Sequence, residues 1–509
     1  MALAARCAHR GRIGGLALIL LLVFLALSCG DGSTPLQPSS AVQVKIGDAA
    51  AGRVVALEMT LTSLVLTKSD GQLVSVLPEA RRIEFTRLAG TVEPVALLNI
   101  PQGSYTEAAL SSSNLHLTYL DATGTVEEYT QTREINTSIV LNPQLGVTTN
   151  SVINIDLNLA ASILSIDPTN VAPPQFRPVY TFSVSPVSAA QQQEEEGALE
   201  HVIGVVTAAN SSSFTMQMGQ NGILLTFIVD ASTAFQDVTL TTLANMIVEV
   251  DGVTAADGTL HAERVAGLTN TSGAVVEGVL TRGPFLPDGF VKQAAYRPEA
   301  PLVVEDGVGN GMVDAMVGTP VTVDFRAASY GVNGEGMPDG WAFNLIGGLV
   351  FNAATMIPGQ TVQVVTDTGI SPIDGDYTIP ARTVTLQEQA ASGVVSDYRD
   401  GFLFGFLLGA KGTKTVSPRS ALSMPVAAFD LQLPDDSYLR LLNPTFTSVT
   451  VGVFPETKVN GTSAISDLMT VRVRGWLFYF DDELAMVADR VDFVSAPVPT
   501  SLRTDIPRR

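Results

Sequence analysis

The chain has 509 residues, of which 46% are hydrophobic and 16% charged. That is enough apolar matter for three or four domains of about 100–200 residues each, and it excludes a disordered chain. The 44 Gly and 28 Pro are dispersed, which excludes a collagen-like repeat and marks frequent turns. A formal net charge of −21 argues against a phosphate clamp for duplex nucleic acid.

In chain order, Arg6, Arg10 and Arg12 form a positive n-region, followed by the uncharged apolar run Ile13–Leu27. This run falls short of the roughly 20 residues a spanning helix needs and fits the h-region of a secretory signal. It ends Leu25-Ala26-Leu27-Ser28-Cys29-Gly30. A small residue before Cys29 resembles a bacterial lipobox, which predicts a signal peptide over 1–28 and acylation of Cys29. The chain's two cysteines are Cys7, inside the signal, and Cys29. The mature chain therefore has no second thiol for a disulfide, and a chain this long can bury enough surface without one. Acyl chains contribute about 0.8 kcal/mol per buried methylene. An acidic body is repelled by anionic head groups, so the lipid must supply the anchoring. In the lipoprotein sorting pattern, Gly30 rather than Asp after the cysteine favours the outer membrane.

Residues 29–40 read as a polar, Pro-containing tether. Period-two alternation follows: Val42, Val44 and Ile46 against Gln43 and Lys45; Leu57, Met59 and Leu61 against Glu58 and Thr60; Leu115, Leu117 and Tyr119 against His116 and Thr118; Ile153, Ile155 and Leu157 against Asn154 and Asp156. Turn signals such as Ser69-Asp70-Gly71 and Pro101-Gln102-Gly103 separate these segments. Short half-buried strands with frequent turns predict an antiparallel β-sandwich over 41–186. The stretches Val44–Ala49, Ile100–Thr106, Ile153–Ile163 and Phe176–Val179 resemble a bacterial lipoprotein family, domain of unknown function 4382. The resemblance implies architecture and export only.

The run Gln191–Glu196 cannot bury surface, and residues 187–200 read as a linker. A pattern then recurs. One copy runs Met246–Gly252, Asp257-Gly258, Ala262–Val265; another runs Met469–Gly475, Asp481-Asp482, Ala488–Val491. A degenerate middle copy runs Gln360–Val364, Asp374-Gly375, Ala381–Val384. Each is a strand, an acidic turn and a returning strand, and each is preceded by a Gly-Val strand: Gly204-Val205, Gly278-Val279, Gly393-Val394. With Phe214–Met216 and Phe402–Phe404 in the second position, the copies resemble domain of unknown function 5666, a small β-barrel. This predicts barrel repeats over 201–270, 271–389 (with an insertion) and 390–496, then a tail over 497–509. The predicted fold class is all-β, with a sandwich followed by three small OB-like barrels.

Among candidate sites, His116, His201 and His261 are expected as solvated surface residues. No G-x-S-x-G elbow, H-E-x-x-H or Walker loop occurs, and zinc held by thiolates is excluded because no cysteine pair remains. The acidic segments Glu305–Asn310 and Asp374–Asp376 are weak calcium candidates, expected instead as solvated hairpin turns. Two aromatic stripes, Phe402/Phe404/Phe406 and Trp476/Phe478/Phe480, are expected in barrel cores, with Trp476 as a candidate ligand contact if exposed. Trp341, in the Pro338–Trp341 turn, is the other candidate ligand contact. Arg472 and Arg474 form one small basic spot.

The expectation is a lipid-anchored envelope protein of non-enzymatic binding or structural type, meeting a protein or a glycan. No cofactor, metal or nucleic acid is expected. The alternatives are a hydrolase using paired carboxylates and an assembly partner pairing through sheet edges.

Overall fold

The computed structural model describes residues 39–494 apart from 49–51, 90, 188–197, 220–221, 284–297, 312, 335–336, 338–348, 371, 374–375, 401–425, 461–463 and 481–482. Strands dominate. The described helices are short, such as Leu159–Ser162, capped by the Asn158 side chain, and Tyr438–Leu442, capped by Ser437. None is long and apolar enough to cross a membrane.

The N-terminal module is two facing sheets. One has the order Tyr180–Pro186, Ser151–Leu157, Ser39–Asp48, Val92–Pro101. The other is built on the long strands Val54–Lys68 and Gly103–Leu120, with Leu73–Ser75 and Arg81–Glu84 on the first and Val126–Gln131 and Ile135–Val147 on the second. The apolar halves of the alternating segments, among them Val44, Ile46, Leu57, Met59, Leu117 and Ile155, form its core. The sandwich is not wholly antiparallel: Ser39–Asp48 runs parallel to Ser151–Leu157, with Val44 opposite Ile153. The connection between these two strands passes through the second sheet, which leaves room for the crossover a parallel pair requires.

Three barrels of one topology follow. In the first, Ala198–Ala209, Ser213–Met218, Leu224–Ile228, Met246–Thr254 and Leu260–Asn270 close through the parallel pairing of Phe227 with Leu260. In the third, Glu388–Asp400, Ala427–Gln432, Ser448–Val453, Thr470–Phe480 and Glu483–Phe493 close through Thr450 and Ala485. In the second barrel the returning strand is broken at Ala381-Arg382. Its first half, Asp376–Pro380, pairs with Pro320–Asp324, and its second, Thr383–Leu386, pairs with Thr361–Thr366. Each barrel carries a short extra parallel strand on its returning strand: Ala234–Gln236, Ser329–Val332 and Lys458–Asn460.

The recurring glycines have a steric cause. A Cβ on Gly204, Gly278 or Gly393 would sit well inside contact distance of the carbonyl oxygen of Gln217, Val303 or Gln432 on the adjoining strand. The opening strand can approach its neighbour this closely only without a side chain.

The described residues from Ser40 onward form one compact unit, in which the barrels pack on one another. Ile203 and Ile247 of the first barrel share an apolar cluster with Val275, Val308 and Val365 of the second. Trp476 and Phe478 of the third barrel belong to the core of the second. The sandwich's polar faces are covered too. Gln43 and Lys45 are buried, and Gln43 Oε1 accepts a hydrogen bond from Thr254 of the first barrel at 2.8 Å. Thr118 donates to the carbonyl of Gly318 in the second barrel.

Gly278→Ala is expected to destabilise the protein by about 1–3 kcal/mol, the usual cost of overpacking, because the clash is with backbone. Denaturant unfolding of the variant checks this; an unchanged midpoint contradicts the steric account.

Candidate functional site

Two polar clusters lie where modules meet. The first lines a groove of about 660 Å³ between the first and second barrels. The strand Ala198–Ala209 shifts register between Leu199 and Val202. There His201 takes a left-handed backbone (φ 55°), which turns its N–H to Asp251 Oδ1 at 2.7 Å and its Nδ1 to Glu249 Oε1 at 3.2 Å. Arg264, on the returning strand of the same hairpin, reaches Glu249 at 3.1 Å and Asp251 at 3.0 Å. The second barrel adds two amides: Asn333 Nδ2 donates to Glu249 Oε1 and Gln363 Nε2 to Glu249 Oε2, both at 2.8 Å. Burial disfavours the Glu249 carboxylate, but the hydrogen bond and charge of His201, Gln363 and Arg264 outweigh it and hold Glu249 at about 2. Burial likewise opposes the His201 imidazolium, yet Glu249, Asp251 and Glu388 keep its pKa well above the usual histidine value.

His201, Glu249 and Asp251 bring three ligand atoms within 4.8 Å of one another. Arg264 lies on the same two carboxylates, so a metal ion would have to displace a guanidinium that already neutralises them. The donor set fits a salt-bridge network better than a metal centre. Gln387 lines the same groove, and its buried Nε2 has no hydrogen-bond partner.

The second cluster lines a cavity of about 220 Å³ where the sandwich meets the second and third barrels. Glu84 ends the strand Arg81–Glu84. Its Oε1 accepts from the backbone N–H groups of Leu57 and Thr86 at 2.7 and 3.1 Å, and its Oε2 from that of Arg87 at 2.9 Å. Thr86 Oγ1 lies 2.7 Å from Glu84 Oε1, 3.2 Å from Glu305 Oε1 and 3.0 Å from the Val55 carbonyl. A hydroxyl has one hydrogen to give and can also accept, so a proton on one of the two carboxyls supplies a second hydrogen to these contacts. Glu305, with no backbone N–H on it and a buried, unpartnered Oε2, is the acid that holds it. Burial, then repulsion from Glu84 and Glu277, pushes Glu305 well above the carboxylate range. Burial, with repulsion from Asp306 and Glu249, pushes Glu277 up to about 7 against the charges of Arg87 and His201, and Glu84 reaches about 7 in spite of its N–H donors. At the far wall Arg474 and Glu388, both buried, pair at 2.7 Å.

Several sequence expectations change. The segment from Glu305 is no solvated turn: Glu305 and Asp306 are buried within the strand Glu299–Gly309, because the sandwich packs over that wall. His201 is not a solvated surface histidine but part of the buried network. His116 is half-buried beneath Gly318, 3.0 Å from Glu128; His261 is the most exposed of the three. Trp476 is fully buried in a barrel core as expected, though in that of the second barrel rather than its own, and donates its indole N–H to the Asn333 carbonyl, so it offers no face to a ligand. Arg474 is ion-paired inside rather than part of a basic surface spot. Cys29, Trp341, Phe402, Phe404, Phe406 and the Asp374-Gly375 turn lie outside the described residues. Periodicity overlooked the carboxyl cavity. Its one sequence signal is acidic residues set among apolar ones, as in Val303-Val304-Glu305-Asp306-Gly307.

These shifts set a pH dependence. The folded state binds more protons at Glu84 and Glu277 between about pH 4.5 and pH 7, so stability falls as pH rises through that window, by about 3 kcal/mol for fully buried Glu84. The raised His201 adds to the fall at higher pH. Depressed Glu249 contributes stability that is lost only as pH drops from about 4.5 towards 2. Thermal unfolding should therefore occur at higher temperature at pH 5 than at pH 8, with Glu84→Gln flattening the difference. A melting temperature that rises from pH 5 to pH 8 would contradict the assignment.

Residues 203–266, nearly the whole first barrel, match the family model described as Domain of unknown function (DUF5666). Among curated proteins none matches the chain. Among solved structures, one entitled "drosophila Unr CSD456" aligns at 11% identity over 58% of this chain and 98% of its own, with a TM-score of 0.12. The first barrel is thus a DUF5666 domain within an all-β chain.

Proposed function

We propose that this is a lipid-anchored cell-envelope protein of non-enzymatic binding or structural type, with a body that presents a polar groove to a protein or glycan. The leader Arg6–Leu27 and the Ser28-Cys29 junction support export and acylation. The likeness of the sandwich segments to domain of unknown function 4382 fits that location, and Gly30 favours the outer membrane.

The groove between the first two barrels is the observation that carries the reading. Its volume of about 660 Å³ lies within the range of ligand sites. Its lining carries the unpartnered amide nitrogen of Gln387 beside the engaged amides of Asn333 and Gln363 and the guanidiniums of Arg264 and Arg382. His201 beside it is held as a cation by Glu249, so it has no free lone pair with which to act as a base. That arrangement supports recognition over turnover.

Glu277 and Glu305, two raised carboxyls on one cavity, favour a second reading: hydrolysis by paired carboxylates. The strand Ile135–Val147 pairs with Gly103–Leu120 alone among the described strands, which supports assembly through sheet edges as a third.

Cys29→Ala should release the protein from the membrane fraction into the soluble envelope fraction. A variant that stays with the membranes contradicts anchoring through this cysteine.

A further inference from the structure

The cavity shared by the sandwich and the last two barrels holds more acids than cations to match them. Its cations are engaged: Arg87 pairs with Glu93 and lies 3.8 Å from Asp306, and Arg474 pairs with Glu388. Glu277 and Glu305 line the cavity with no such partner, and Thr86 Oγ1 lies between Glu305 and Glu84. Glu305 is 4% exposed, and its Oε2 has no hydrogen-bond partner. An unpartnered acid oxygen in a hollow is a place for an N–H donor.

The rest of the wall narrows the chemistry. Val54, Val55, Val279, Leu433 and Leu439 line the same space, which suits an alkyl chain. The trio His201, Glu249 and Asp251 is the one group among the described residues whose acid and imidazole ligand atoms all lie within 4.8 Å of one another. Among the described residues, the acids of this cavity therefore do not form a three-ligand metal site. The volume of about 220 Å³ exceeds the roughly 150 Å³ that holds a benzene molecule. Gly52 and Asp436, both exposed, stand at the rim and give access from solvent.

We propose that this cavity binds a small aliphatic amine, whose ammonium group displaces the proton of Glu305 to solvent and is held by the resulting carboxylate and by Glu277, with its alkyl part against Val54, Val55 and Val279. The inference goes beyond the reading of the chain as an anchored binding protein and does not depend on acylation of Cys29.

The test is isothermal titration of the purified full chain with n-butylamine, its neutral isostere n-butanol, and calcium chloride, at neutral pH and physiological salt. The expected result is saturable binding of one butylamine per chain, at least tenfold weaker binding of butanol, and at least tenfold loss of amine affinity in Glu305→Gln and in Glu277→Gln. Equal binding of butanol would reduce the site to an apolar hollow and overturn the proposal. Saturable calcium binding abolished by the same variants would replace the amine with a metal and overturn it. So would amine binding unchanged in both variants, which would place it on the acidic surface, or no saturable heat from any probe. Circular dichroism identifies a variant that fails to fold; the other variant, and the amine–alcohol comparison on the native chain, then decide.

Discussion

A carboxylate taken out of water must be matched by charge and hydrogen bonds, and Glu249 is where this molecule meets that demand. Its two oxygens take Arg264 and His201 from its own barrel and Asn333 and Gln363 from the next. Removing one partner of such a network typically costs about 3–5 kcal/mol, because a charge is left buried and uncompensated. The arrangement stands only if the second barrel is docked. The charge thereby specifies how the two modules sit together, and the apolar cluster of Ile203, Ile247, Val275 and Val365 beside it provides the contact area.

The three hairpins show how one repeated motif yields a fused body. The same position in the first hairpin strand is Glu249, Gln363 and Arg472 in the three copies. The first two meet across the interface, amide to carboxylate, at 2.8 Å. Two residues on, along the same face of the strand, Asp251 of the first copy corresponds to Arg474 of the third. The first copy pairs its acids with its own Arg264, and the third pairs Arg474 with Glu388 of its opening strand. The backbone repeat is kept by glycines with no room for a Cβ, while the charges diverge until each junction has its own complement.

Much of this was legible in the residues. Strict alternation at Val42–Ile46 and Ile153–Leu157 places the sandwich core, and the Gly-Val strands and acidic hairpins are the barrels' own chemistry. Alternation says which side chains face away from a core, but not what lies beyond them. Gln43 and Thr118 read as solvent-facing and are covered by neighbouring barrels, because a polar face is also a face that another module can hydrogen-bond. The same blindness made Glu305 and Asp306 look like a turn: two acids before a glycine signal water unless a separate module roofs them. The carboxyl cavity draws on segments from Gly52 to Arg474, a span no local pattern reveals.

The central claim is that buried charge and shared apolar clusters make sandwich and barrels a single cooperative body. Differential scanning calorimetry of the intact chain tests it most directly. One transition, with a van't Hoff enthalpy close to the calorimetric enthalpy, is the predicted result. Separate transitions for sandwich and barrels, or a calorimetric enthalpy several times the van't Hoff value, would contradict it.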